Sequence, residues 1–342
     1  MSVRLINRAV LLLAHGTPDV LGEMAEYLSK VTGGRALPLE VVEELQHRYA
    51  QIGLRETPGV EAPPLTKWTM TQGHLLEQAL GGERVYVGMR NWHPYIADVI
   101  AQMRRDGVTH IKAVCLAPQN SRTSVGLYRR AVLAAAAGIE VEFVAGWAES
   151  PALVKAFAEK LLPVWAQACE DSGRRIPVLF TAHSVPCRTI MTGEASVAGA
   201  RPGTPVQLSP DPYPVEAKRT AELVAERMAS IGFGNKDWYF AFQSQGVSGG
   251  PWIGPTVEET LKAIRAEGHA GVVMQPVGFL CDHVEILYDI DVAFREKAKE
   301  LGLKLWRAES LNDSALLVKA LEEVVSGDYK ATVDEVTVPA EV

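Results

Sequence analysis

The sequence predicts an α/β protein of two similar lobes, each a parallel sheet flanked by helices, facing one another across a cleft. Three observations carry that prediction. Residues 10–14 (VLLLA) and 177–182 (PVLFTA) are continuous apolar runs, the pattern of strands buried on both faces of a parallel sheet. Each run ends in Ala-His, at His15 and His183, so the same strand-to-turn grammar opens twice. A second pair repeats as well: HIKAVCLAP at 110–118 and HAGVVMQP at 269–276 each follow a helix ending in glycine, Gly107 or Gly268. This weak duplication divides the chain into lobes at 1–150 and 151–326, with a tail at 327–342.

The first lobe continues from its strand through the turn at His15 to helices over 20–31 and 39–52. Residues 57–64 (TPGVEAPP) form a connection too proline-rich for a helix or central strand. A helix over 69–80 and a strand over 84–88 follow, then a helix over 95–106 and a strand over 110–116. A polar turn at 118–124, an alanine-rich helix and a strand near 141–145 complete the lobe. Strands alternating with helices imply βαβ units. The second lobe has a helix over 151–170, the strand ending at His183, and a loop over 187–210 that is poor in charge and rich in Gly, Pro and Ser. Loops of that length without structure of their own are usually functional or disordered, and this one is placed to act as a lip over the cleft. A long helix through Ser230, a strand over 238–242, a helix headed by PWIGP and a strand over 271–276 come next. A last strand at 303–306 and helix at 311–325 close the lobe, and residues after Ser326 are expected to fray.

Composition removes several classes of function. The chain has 342 residues, 47% of them hydrophobic, enough for two domains with sizeable cores. It contains no uncharged apolar run of about 18 residues, so no transmembrane segment is expected. The N-terminus lacks a small-residue cleavage pattern and is not read as a signal peptide. A net charge of −7 without a basic stripe argues against nucleic acid as a partner. Cys115, Cys169, Cys187 and Cys281 are scattered without a CxxC pair, which fits a reducing cytoplasm and predicts neither a zinc finger nor an iron–sulfur cluster. GxGxxG and P-loop patterns are absent, so no organic cofactor is expected.

The stretch 275–294 (QPVGFLCDHVEILYDIDVAF) is the richest in chemistry. A strand breaks at Pro276 and Gly278 into a helix where Asp282, Glu285 and Asp289 share one stripe and Ile286, Leu287, Ile290 and Phe294 the packing stripe. By itself this also fits a solvated acidic helix face with an aspartate favoured by the helix dipole. In open parallel sheets ligands bind outside the carboxyl ends of strands, which brings His15, His183 and this turn to one edge. Imidazole plus carboxylate suits a divalent cation such as Fe2+ or Zn2+, and the same groups can accept protons. Insertion of a metal into a macrocycle needs both, because two pyrrole N–H protons leave as the cation enters.

The motifs LLLAHGTPD, VGMRNWHPYI, LAPQNSRTSVGLY, TAHSVP, SPDPYP, FQSQGVSGGPWIGP, PVGFLCDHVEILYDID and LNDS occur in one order, and with them the chain resembles the ferrochelatase family from residue 9 to 325. The resemblance implies two Rossmann-like, chelatase-type lobes with a porphyrin cleft between them. It implies that His183 and Glu285 flank the macrocycle as the metal and proton-handling pair, with Asp289 continuing an acidic track and the loop after His183 forming part of the lip. QSQGVSGGPWIGP and HRYAQIG are more similar to the coproporphyrin III type than to the protoporphyrin IX type. The two extra carboxylates of coproporphyrin would need donors, for which Arg35, Arg48, Ser121, Arg122 and Thr123 are the candidates beside His15.

Four departures from the family pattern stand out, one of them a loop over 187–210 longer than the family's. His15 occupies the place of a tyrosine or an asparagine-leucine pair, and could reach iron axially through a ring nitrogen. Ala293 stands where a third acid continues the track. LRETPGVEAPPL replaces the segment that usually follows HRYAQIG. The expectation is a cytoplasmic lyase that takes Fe2+ as substrate, metallates coproporphyrin III and releases haem-pathway product to other enzymes of that pathway. Protoporphyrin IX metallation, a sirohydrochlorin-type chelatase and a non-catalytic haem or porphyrin carrier are the alternatives.

Overall fold

The computed structural model describes residues 7–190, 211–246 and 250–337. The first lobe runs β1 (Arg8–Ala14), α1 (Met24–Val31), α2 (Leu39–Gln51), α3 (Pro64–Ala79), β2 (Val85–Met89), α4 (Ile96–Arg105), β3 (His110–Cys115), α5 (Val125–Ala135) and β4 (Glu140–Gly146). The 22-residue α6 (Pro151–Ser172) leads into the second lobe. There follow β5 (Val178–His183), α7 (Cys187–Ile190), α8 (Tyr213–Arg227), β6 (Trp238–Gln243), α9 (Val257–Ala266) and β7 (Gly271–Pro276). The chain ends with α10 (Val284–Leu287), a π-helical segment (Asp289–Phe294), α11 (Arg295–Glu300), β8 (Lys304–Arg307), α12 (Ala315–Ser326) and β9 (Thr332–Thr337).

The strand orders are β2-β1-β3-β4-β9 and β6-β5-β7-β8. Without β9 the two sheets have the same order, and their pairings among these eight strands are all parallel. The repeated motifs at 110–118 and 269–276 are β3 and β7, which hold equivalent places. Burial along β1 explains its unbroken apolar run. Val10, Leu12 and Ala14 face one core while Ala9, Leu11 and Leu13 face another, both nearly free of solvent. The first of these cores is shared: it continues through Trp147, Phe157 and Phe180 to Leu321, so α6 and α12 bind the lobes into one unit.

Three expectations are corrected here. The tail is not frayed over its described residues, 327–337. Residues 332–337 form β9, which runs antiparallel to β4 from Glu140↔Thr337 to Gly146↔Thr332, and Arg129 pairs with Asp334 at 3.0 Å. Backbone pairing to an open sheet edge needs no apolar run, and this strand offers little of one. The acidic helix is also not a single α-helix. It breaks after Leu287 into a π-helical segment, in which the Ala293 N–H donates to the Tyr288 carbonyl five residues back. The helix expected over 69–80 starts earlier because Pro64 sits in its first turn, where the missing N–H costs nothing.

Gly16 fixes how β1 leaves the sheet. Its φ of +89° lies in the left-handed region, and a Cβ there would sit 2.8 Å from the Trp92 backbone nitrogen. Gly16→Ala should therefore lower the melting temperature, by a loss of about 1–3 kcal/mol. An unchanged melting curve would mean that this turn can rearrange freely.

Candidate active site

A cleft of about 1060 Å3 opens between the lobes at the carboxyl ends of the strands. His15 and His183 both line it, with Glu285 and Asp289. His183 ends β5, where its Nδ1–H donates to the Ser184 carbonyl and turns Nε2 toward Glu285 Oε1, 3.0 Å away. Glu285 Oε2 lies 3.3 Å from Nε2 of His283, whose Nδ1–H is held by the Cys281 carbonyl at 3.0 Å. One carboxylate thus bridges two imidazoles. Gln243 supports the bridge from behind. Its amide donates to the Glu285 backbone carbonyl at 2.7 Å and its oxygen accepts from Thr181 at 2.6 Å. The Tyr213 hydroxyl donates to the His183 carbonyl at 2.7 Å.

The electrostatics separate the two walls. Burial alone would lower the His183 pKa, but the Glu285 charge and hydrogen bond, the Ser184 carbonyl and Asp289 raise it to about 9. Burial would raise that of Glu285, yet His183 and His283 hold it well below the usual carboxylate range. The pair therefore rests as imidazolium and carboxylate, with both side chains about a third exposed to the cleft. Asp289 is pushed up by burial and by Glu285, partly offset by the Ser244 hydroxyl against it. Across the cleft His15, Tyr27 and Tyr49 are neutral. Burial, with Arg90 alongside, takes the His15 pKa down to about 3. Burial lifts Tyr27 well above its ordinary value and Tyr49 to about 12.

Among the cleft-lining residues predicted from sequence are His15, Arg48, Ser121, Thr123, His183, Glu285 and Asp289. Arg48 stacks on Tyr288 at 5.2 Å and pairs with Glu44 at 2.9 Å. Ser121 and Thr123 share a 3.0 Å hydroxyl contact. Arg35 and Arg122 are not in the lining. Arg35 is exposed on the turn after α1, and the Arg122 backbone N–H donates to Asp211 at 3.0 Å. Asp282, expected on the acidic stripe, also faces away: Ser310 and Asn312 bond its oxygens at 2.7 and 2.9 Å. Residues 191–210 of the expected lip lie outside the described residues, and 187–190 are helical. Sequence reasoning passed over His283, Arg55 and Arg90 as site residues, although Arg55 and Arg90 line the cleft. The DHVE spacing was the available signal for His283, since only an extended residue before α10 lets its ring reach Glu285.

Among the described residues no three His, Cys, Asp or Glu side chains converge as a metal cage. The protein offers one His–Glu–His face along a slot walled by Leu37, Val41, Leu45, Phe279 and Trp252, which suits a flat apolar ring carrying its own nitrogen donors. The ferrochelatase family model matches residues 7–328. A ferrochelatase of Acidobacterium capsulatum is 55% identical over 97% of this chain and 98% of its own. A coproporphyrin III ferrochelatase of Geobacillus kaustophilus is 30% identical over 92% and 94%. The solved structure of SirB from Bacillus subtilis with Fe3+ shares the fold with a TM-score of 0.50 at 12% identity, covering 94% of this chain and 95% of that one. The chain belongs to the ferrochelatase family and is a metal-chelating lyase.

Proposed function

We propose that this enzyme inserts Fe2+ into coproporphyrin III, with His183 and Glu285 receiving the two pyrrole protons and Asp289 passing them outward. The observation that carries the reading is the carboxylate of Glu285 held between His183 and His283 on one wall of the slot, opposite a neutral His15. A ring proton moves to Glu285 or to the imidazole beside it, and the metal reaches the nitrogens it vacates. The neutral His15 nitrogen is suited to meet the metal from the other face. Arg48, Arg55, Arg90, Ser121 and Thr123 supply donors along the cleft for the ring carboxylates, and relatives named for coproporphyrin III are among the matches. No helix among the described residues is long and apolar enough to cross a membrane. The cytoplasm is the proposed location, and haem-pathway enzymes are the proposed source of the ring and recipients of the product.

Anaerobic metallation with Fe2+, run in parallel on coproporphyrin III and protoporphyrin IX and followed by absorbance, tests the substrate. Turnover of coproporphyrin III alone supports the reading. Preference for protoporphyrin IX replaces it with the dicarboxylate substrate. Haem binding without metallation of either ring makes the protein a carrier.

The resting ion pair sets a pH dependence. His183 must shed its proton before accepting another, and its pKa is raised to about 9, so kcat/KM should rise with pH toward that value. In Glu285→Gln the largest raising influence on His183 is gone, and the limb of any residual activity should move to lower pH. An unmoved limb would assign it to another group.

A further inference from the structure

We infer that Arg307 is a positioning residue for metal insertion, holding the segment that carries His283, Glu285 and Asp289 by clamping Asp282 and Asp291 on either side of it; this rests on the roles proposed above for Glu285 and Asp289. Arg307 ends β8 with its side chain only 14% exposed. Nε and Nη2 donate to Asp291 Oδ1 and Oδ2, each at 2.8 Å, the parallel fork that fixes direction as well as distance. Nη1 lies 3.6 Å from Asp282 Oδ1 and donates to the Ala308 carbonyl at 3.2 Å. Asp282 directly precedes His283, and Asp291 comes two residues after Asp289 inside the π-helical segment. Neither aspartate lines the cleft. Their carboxylates point to the back of the segment while Glu285 and Asp289 point to the front.

The segment needs such a hold. The α10 helix has four residues, too few to be stable by itself, and a π-helical turn after it is a poor continuation. A one-residue slip back to α-helical pairing would rotate Asp289 relative to Glu285. Arg295 also reaches Asp291, at 3.4 Å, but it is 49% exposed and contacts only that end. Among the described residues Arg307 is the side chain that joins both. The clamp is further referenced to the facing lobe. The Asp282 N–H donates to Asn312 Oδ1 at 2.9 Å, and the Asn312 carbonyl accepts from Gln72 of α3 at 2.8 Å. Asn312 itself is held at φ +45°. A buried charged network of this kind gives little net stability compared with apolar packing, so its value lies in geometry.

The test measures kcat and porphyrin KM for Arg307→Lys, Arg307→Met, Asp291→Asn and the Arg307→Met/Asp291→Asn double variant, well below each melting temperature, with Glu285→Gln in parallel. Misplacement of reacting groups by about 1 Å costs up to about a hundredfold. Arg307→Met should therefore lose about that much in kcat, Arg307→Lys and Asp291→Asn about tenfold, with KM held within about twofold. The double variant should fall no further than Arg307→Met, because both remove one contact. Lower melting temperatures with wild-type kcat, or losses that multiply in the double variant, would overturn the proposal and leave Arg307 a packing residue. If Glu285→Gln keeps full turnover, the underlying assignment of the carboxylates fails instead, whatever Arg307 does.

Discussion

Glu285→Gln should reduce kcat for metal insertion by about 10²–10⁴-fold, the span of a lost acid–base group. The substitution keeps the size of the side chain and removes its charge. His183 then loses the charge 3.0 Å away that holds it protonated, and the single amide oxygen can accept from only one of the two imidazoles, since His283 at 3.3 Å faced the other oxygen. No carboxylate remains between the two imidazoles to take a proton or to attract the cation, and Asp289 stands one turn further on. Porphyrin affinity should change little, because the slot walls that bury the ring are apolar and untouched. Steady-state metallation with ring fluorescence as the binding readout separates the two effects. Turnover within tenfold of wild type would remove Glu285 from the reaction.

His183→Ala should cause a loss of the same order, again with porphyrin binding retained. The residue cannot be replaced by its neighbour. His283 has its Nδ1–H committed to the Cys281 carbonyl and reaches only the other oxygen of Glu285. Combining both substitutions should add little to either, since groups acting as a unit are not additive. A double variant that loses the product of the two separate factors would show that His183 and Glu285 act in different steps.

Much of this was legible in the sequence, for physical reasons that also explain the gaps. Buried parallel strands need unbroken apolar runs, so β1, β5 and β7 could be read directly, and the turns after them locate a cleft without further information. The His183–Glu285 pair followed from a family likeness, and the structure adds the distance and the charge state. β9 was missed because only Val333 and Val336 of its six residues are apolar and it gains its pairing from a sheet edge far away in sequence. The π-helical segment leaves no residue signature, being a shift of backbone partners under an ordinary amphipathic pattern. Asp282 was misplaced because its partners Arg307, Ser310 and Asn312 lie about 25 to 30 residues on, where helical spacing says nothing. Arg35 and Arg122 were chosen by nearness to motifs, and nearness in sequence does not aim a side chain.

The return of β9 to the first sheet has a mechanical meaning. The chain crosses between the lobes twice, at α6 and again between α12 and β9. Sliding one lobe past the other would peel β9 from β4 along six registered pairs. The two crossings and the core shared through α6 and α12 therefore brace the walls of the slot against one another, so its width is set by the fold and not by the ring that enters it.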